Sequence, residues 1–265
     1  KVWGPDHLTE EGIGERSDWI LEPNASWHDF GKVAKDFNML DPIKATVVTP
    51  GLDIEGNFGS MGIPASIVTK YLAEHGVIVE KTGLYSFFIM FTIGITKGRW
   101  NSLLTALQQF KDDYDRNQPM WRIMPEFCQK QPKYERMGLR DLCQHIHALY
   151  AKYDIARLTT DMYLSDLTPA MTPADAYAQI ARRKTERVAI DELEGRITVG
   201  LVTPYPPGIP LLVPGEVFNK KIVDYLKFSR EFNLQCPGFE TDIHGLVEVV
   251  GDDGVKCYYA DCVKA

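Results

Sequence analysis

The chain has 265 residues, enough for one large domain or two modest ones, and its 45% apolar and 25% charged residues are the balance of a folded globular protein, not a disordered one. With 29 Lys and Arg against 36 Asp and Glu the formal charge is -7, which argues against sequence-independent nucleic-acid binding, because that depends on neutralising phosphates. The longest apolar stretch, about residues 86–95, is too short for a membrane helix, no signal peptide is expected from Lys1 to Asp6, and 5 cysteines without a Cys-x-x-Cys pair fit a reduced cytoplasmic protein better than a disulfide framework.

Residues 1–40 read as irregular. Trp3, Trp19 and Trp27 are scattered among prolines and polar side chains, an opening expected to wrap over a larger body and to mark the chain as a fragment. Ala45-Thr46-Val47-Val48-Thr49 is β-branched and closes on Pro50-Gly51, which predicts a strand and a turn; the Gly- and Asn-rich residues 53–62 predict a loop. A helix is expected from Ile63-Pro64, with Ile67, Val68, Tyr71 and Leu72 on its apolar face and Gly76 as its stop. Residues 77–79 and 87–93 read as two strands joined by a turn over 81–86. The spacing of Trp100, Leu103, Leu104, Leu107, Phe110 and Tyr114 predicts a helix over 97–116 with one apolar face, and Asn117-Gln118-Pro119 marks a boundary.

The second part opens with broken helical sequence over 121–129. A strong helix follows over 139–153, with Leu139, Leu142, Ile146, Leu149, Tyr150 and Tyr153 on one side. Thr172-Pro173-Ala174-Asp175 carries a capping Thr, Pro at the first helical position and an early negative charge, a helix start. Strands are expected at 188–190, 196–203 and 211–213, a helix at 219–232, and a terminal β-hairpin whose arms, 246–250 and 255–263, join through an Asp-Gly turn.

Motifs for chemistry are sparse. His145 and His147 stand two apart on a helix and so face different sides, which does not suit one metal ion, and the cysteines lack zinc spacing; no metal site is expected. There is no phosphate-binding glycine loop and no Gly-x-Ser-x-Gly, so no catalytic set is complete in this chain. Thr203-Pro204-Tyr205-Pro206-Pro207-Gly208-Ile209-Pro210 is stiff and short of donors, expected to stay out of any ladder; it reads as a structural bend or as the lining of a ligand entrance. Glu80 follows three β-branched residues, and by composition alone it is a surface carboxylate at a strand end.

Several stretches resemble the C-terminal part of the bacterial lysine/arginine/ornithine decarboxylases, which use pyridoxal phosphate (PLP). They are Leu40-Asp41-Pro42-Ile43-Lys44, Gly62-Ile63-Pro64-Ala65-Ser66, His75-Gly76 with Glu80-Lys81-Thr82-Gly83, Pro204-Tyr205-Pro206-Pro207-Gly208, Pro214-Gly215-Glu216, and Pro237-Gly238-Phe239-Glu240-Thr241-Asp242-Ile243-His244-Gly245. The resemblance implies an α+β chain: a linking segment over 1–40, an aminotransferase-type small domain over 41–118 and an α/β C-terminal domain over 119–265, without the family's large PLP-binding domain. The family's Ser-x-His-Lys cofactor motif is missing, so PLP is expected in the parent enzyme, none on this fragment, and no activity from the fragment alone.

The resemblance further implies that Glu80 faces the distal ammonium of a basic amino-acid substrate, that Tyr205, Pro206, Pro207 and Gly208 border the active-site entrance, and that the parent is a homo-oligomer, a dimer or higher; the acidic charge and the short apolar runs lead to the expectation of no nucleic-acid or membrane partner. Glu80 with Thr82-Gly83 resembles the lysine-type enzymes, whereas Cys262-Val263-Lys264-Ala265 resembles the arginine branch; lysine is favoured, with ornithine and arginine left open. The alternative is a non-catalytic α+β ligand-binding or assembly module.

Overall fold

The computed structural model describes residues 20–26, 28, 30–36, 38–41, 43–205, 208–251 and 256–264. They fall into two compact units, one of Lys1–Thr46 with Ile89–Ile95 and one of Val47–Phe88 with Thr96–Ala265. Trp3, Trp19 and Trp27, on which the expectation of a wrapping segment rests, lie outside the described residues.

Turns dominate the described residues of the first unit ahead of β1. Ile20 bridges Met39, and the Leu21 N–H donates to the Asn38 carbonyl at 2.9 Å. His28 is buried there, its Nδ1 accepting the Phe30 N–H at 2.9 Å and its Nε2 bonding the Glu22 carbonyl at 2.9 Å.

Strands β1 (Lys44–Val48), β2 (Lys81–Thr82) and β3 (Ser86–Met90) form a sheet in the order β1-β3-β2. β2 and β3 are antiparallel, with Thr82 opposite Phe87, and the Gly83 N–H closes the turn on the Ser86 carbonyl at 2.7 Å. Helix α1 (Ala65–Glu74) buries the expected Ile67, Val68, Tyr71 and Leu72. It ends in a paired cap: Gly76 N–H to the Ala73 carbonyl at 3.0 Å and Val77 N–H to the Leu72 carbonyl at 2.9 Å. That cap corrects the strand expected at 77–79. The Val77 donor is committed to the helix end, so the ladder begins only where the Glu80 N–H reaches the Phe88 carbonyl at 2.9 Å.

Helix α2 (Lys97–Asp115) has the expected bounds but a narrower buried face. Leu103, Ala106 and Phe110 are buried, while Trp100 and Leu104 are 40% and 43% exposed. The packed stripe is rotated toward Ala106, which leaves Leu104 a quarter-turn outside it and Trp100 in the first, less covered turn.

The broken stretch becomes two short helices, α3 (Met120–Ile123) and α4 (Pro125–Lys130). The Glu74 carboxylate at the end of α1 caps α4, accepting the Phe127 N–H at 2.7 Å and the Glu126 N–H at 3.3 Å. Helix α5 (Leu139–Lys152) follows as expected; α6 (Ile155–Leu164) was not anticipated. Helix α7 (Pro173–Ala181) starts at Thr172, whose Oγ1 accepts the Asp175 N–H at 3.2 Å. Helix α8 (Lys220–Gln235) starts at Asn219, whose Oδ1 accepts the Ile222 N–H at 3.0 Å.

Strands β4 (Thr185–Ala189), β7 (Leu246–Val250) and β8 (Lys256–Val263) form an antiparallel sheet in the order β4-β8-β7. The hairpin of β7 and β8 is the expected one; residues 252–255 of its turn lie outside the described residues. The strands expected at 196–203 and 211–213 are reduced to isolated bridges, Ile197 to Val217, Thr198 to Cys262 and Val202 to Leu212, before the chain enters β5 (Thr203–Tyr205). β5 pairs with β6 (Asp242–His244), and Pro204 sits opposite Ile243. The proline-rich stretch therefore does join a ladder. Antiparallel residues turn their N–H alternately toward and away from the partner, so a proline is tolerated where the N–H would point away in a two-stranded ribbon. The whole is the expected α+β architecture.

Candidate functional site

Glu80 stands just before β2. Its backbone is held by the Phe88 carbonyl, and its side chain is exposed, with no hydrogen bond or ion pair among the described residues. The hairpin behind it is pinned to α1 twice: the Thr82 hydroxyl donates to Thr69 Oγ1 at 3.3 Å, and the Ala65 N–H donates to the Leu84 carbonyl at 2.9 Å. The geometry is a free carboxylate on a fixed backbone, able to receive a cation.

Beneath the hairpin lies a cavity of about 610 Å³. Thr82, Gly83 and Leu84 form one side of it, Ser66, Thr69 and Lys70 of α1 another, and Tyr150 of α5, Ile155, Thr159 and Met162 of α6, Phe228 and Phe232 of α8 and residues 239–241 line the rest with their neighbours. Tyr150 stacks on Phe232 with ring centroids 5.4 Å apart, and burial raises its phenol well above the usual range. Lys70 is the cation among the described lining residues. Its Nζ lies 5.8 Å from the ring centroid of Phe127 and 5.5 Å from that of Phe239, and burial lowers its pKa, a shift that Glu240 opposes. That setting does not fit PLP: no second cation accompanies Lys70 among the described lining residues to hold a phosphate.

Sequence reasoning missed this cavity. One signal was available in α6, where Ile155, Leu158 and Met162 fall at helical spacing and Ile155 and Met162 are buried.

Of the expected entrance loop, Pro206 and Pro207 lie outside the described residues. Tyr205 is half-exposed and its ring lies 4.5 Å from that of His244, whose Nε2 is 3.1 Å from Asp242. Gly208 adopts φ +81°, and a Cβ there would come within 2.9 Å of the Tyr205 ring. Thus Thr203-Pro204-Tyr205 and Asp242-Ile243-His244, far apart in sequence, meet as β5 and β6. Neither Glu80, Tyr205 nor Gly208 lines the cavity. The loop approaches it through Tyr163, a lining residue whose hydroxyl donates to the Ile209 carbonyl at 3.2 Å.

The histidine pair divides as its spacing implies. His145 is exposed; His147 is buried, accepting the Tyr85 hydroxyl at Nδ1 (2.6 Å) and donating from Nε2 to the Gly59 carbonyl (2.8 Å). Four of the five free cysteines are buried, and burial pushes the Cys236 and Cys262 thiols up to about 11. Among the described residues no group of His, Cys, Asp or Glu could hold a metal ion, and no helix is long and apolar enough to cross a membrane.

A family model described as Orn/Lys/Arg decarboxylase, major domain, matches residues 1–99, and one described as Orn/Lys/Arg decarboxylase, C-terminal domain, matches 156–264. The lysine decarboxylase LdcA of Pseudomonas aeruginosa is 45% identical over 99% of this chain and 35% of its own length. The solved structure of lysine decarboxylase A from the same organism superposes with a TM-score of 0.86 at 46% identity, over 96% of this chain and 35% of that one. The constitutive lysine decarboxylase of Escherichia coli gives 0.84 at 36% identity, over 99% and 36%. Relatives named as arginine and ornithine decarboxylases match at 36% and 34% identity. The chain spans about 35% of the length of the curated relatives it matches.

Proposed function

The chain belongs to the Orn/Lys/Arg decarboxylase family, and from that premise we propose that it works as one portion of a PLP-dependent basic amino-acid decarboxylase that releases CO2 from lysine. The observation that carries this reading is Glu80: an exposed carboxylate, unpaired among the described residues, on a backbone fixed by Phe88. Such a group suits the distal ammonium of a basic amino acid, and a charge-assisted bond to it is among the stronger polar contacts available. The higher identity to a relative named as a lysine decarboxylase than to those named for arginine or ornithine supports the choice of substrate.

In this proposal PLP, which supplies the electron sink for decarboxylation when bound, is held by residues outside this chain. The contribution of the chain is recognition through Glu80, with Tyr205 and Gly208 at the entrance and a homo-oligomer as the working form. The chain alone is inactive. The test has two arms. The purified chain with added PLP should release no CO2 from lysine and trap no borohydride-stable PLP adduct. The intact decarboxylase containing it should turn over lysine with a higher kcat/KM than ornithine or arginine. A stoichiometric adduct and lysine turnover by the chain alone, or a preference of the intact enzyme for arginine, contradicts the reading.

A further inference from the structure

The cavity beneath the β2–β3 hairpin has no part in the proposal above, yet it has the character of a ligand site. Its volume of about 610 Å³ lies within the range that small-molecule sites occupy. Its body is apolar and aromatic: Tyr150, Ile155, Met162, Phe228 and Phe232. Several hydroxyls on its walls are engaged with the protein, whereas the buried Ser66 Oγ makes no hydrogen bond among the described residues. Thr82 and Thr69 bond each other, and Thr159 donates to the Ile155 carbonyl at 2.8 Å. The engaged hydroxyls do not call for a polar ligand.

The Lys70 ammonium does. It makes no ion pair among the described residues and is held only over the faces of Phe127 and Phe239. Glu240 also borders the cavity but is exposed, so solvent screens its charge, whereas Lys70 is partly buried.

We propose that this cavity binds an amphipathic monocarboxylate, with the carboxylate at Lys70 and the apolar body over Tyr150, Phe228, Phe232 and Met162. A carboxylate there restores the charge stabilisation that Lys70 lost on burial, and the apolar body buries surface that now faces water. A cationic amphiphile would meet Lys70 as a like charge. A neutral one would gain only the apolar part.

Calorimetric titration of the chain with decanoate, decan-1-ol and decylamine tests this, with wild type, Lys70→Met and Thr159→Trp. Decanoate should bind saturably, one per chain, and about tenfold or more tighter than the alcohol or the amine. Lys70→Met should remove that advantage while leaving decan-1-ol binding unchanged, which a merely structural lysine would not do. Thr159→Trp, which places an indole in the cavity, should abolish binding of all three with unchanged far-UV circular dichroism. If that variant fails to fold, Lys70→Met decides alone. Absent decanoate binding, equal affinity for the three probes, a preference for decylamine, or a decanoate affinity indifferent to Lys70→Met overturns the proposal.

Discussion

Helix α5 looks onto two different neighbourhoods within one turn. Around His147 every direction is filled: Tyr85 and the Gly59 carbonyl hold its two nitrogens, Phe58 packs edge-on with ring centroids 5.9 Å apart, and a Cβ on Gly62 would be driven into the imidazole. Around Tyr150, three residues on, the ring stacks on Phe232 and borders an open cavity. One region is specified atom by atom, and its loop, residues 51–62, has its conformation set by that packing. The other keeps apolar surface uncovered, which a fold does only at a cost in hydrophobic burial. The difference separates residues held for stability from residues available to a ligand.

The sharpest way to break this comparison is Gly62→Ala. The imidazole cannot retreat while both nitrogens are bonded, so the substitution should cost about 3 kcal/mol in urea unfolding; a loss within about 0.5 kcal/mol would mean that the region is not close-packed. Tyr85→Phe leaves His147 Nδ1 buried without its donor and should cost about 1–3 kcal/mol by the same measurement.

Surface charge should count for less. Asp191 is held below the usual carboxylate range chiefly by its hydrogen bonds from Arg230, at 2.6 and 3.2 Å. Because its folded value is depressed, its stabilisation is present above the ordinary Asp pKa of about 3.9 and is lost as pH falls through the lower folded value. Asp191→Asn should flatten the acid limb of a stability–pH curve by less than about 1 kcal/mol, since the pair is largely solvated. An unchanged acid limb would remove the pair from the account. Smallest of all, Thr159→Val on the cavity wall should stay within about 0.5 kcal/mol of wild type. A loss at Thr159 as large as that at Tyr85 would erase the distinction between the two neighbourhoods.

The long helices were legible because a 3.6-residue period survives any tertiary context that buries one face; α5 is the clearest case. Helix α6 was not, because it begins immediately after α5, at Asp154 with φ 47°, without a Pro or Gly to announce a break. Residues 77–79 carried strand composition but were claimed by the α1 cap, a backbone event that composition does not encode. Glu80 became a candidate only through the family resemblance. The cavity escaped notice because its walls converge from α1, the hairpin, α5, α6, α8 and residues 239–241, none of which carries a motif for it.

The most direct test of the central claim is steady-state kinetics of the intact decarboxylase with Glu80→Gln, on lysine, ornithine and arginine. The substitution keeps the size and one acceptor oxygen and removes the charge. The account predicts that kcat/KM on lysine falls roughly 10- to 150-fold, the loss expected for a charge-assisted contact worth about 1.5–3 kcal/mol, while the PLP absorbance of the enzyme is unchanged. An unchanged kcat/KM on all three substrates would contradict it and return Glu80 to the role of a surface carboxylate beside β2.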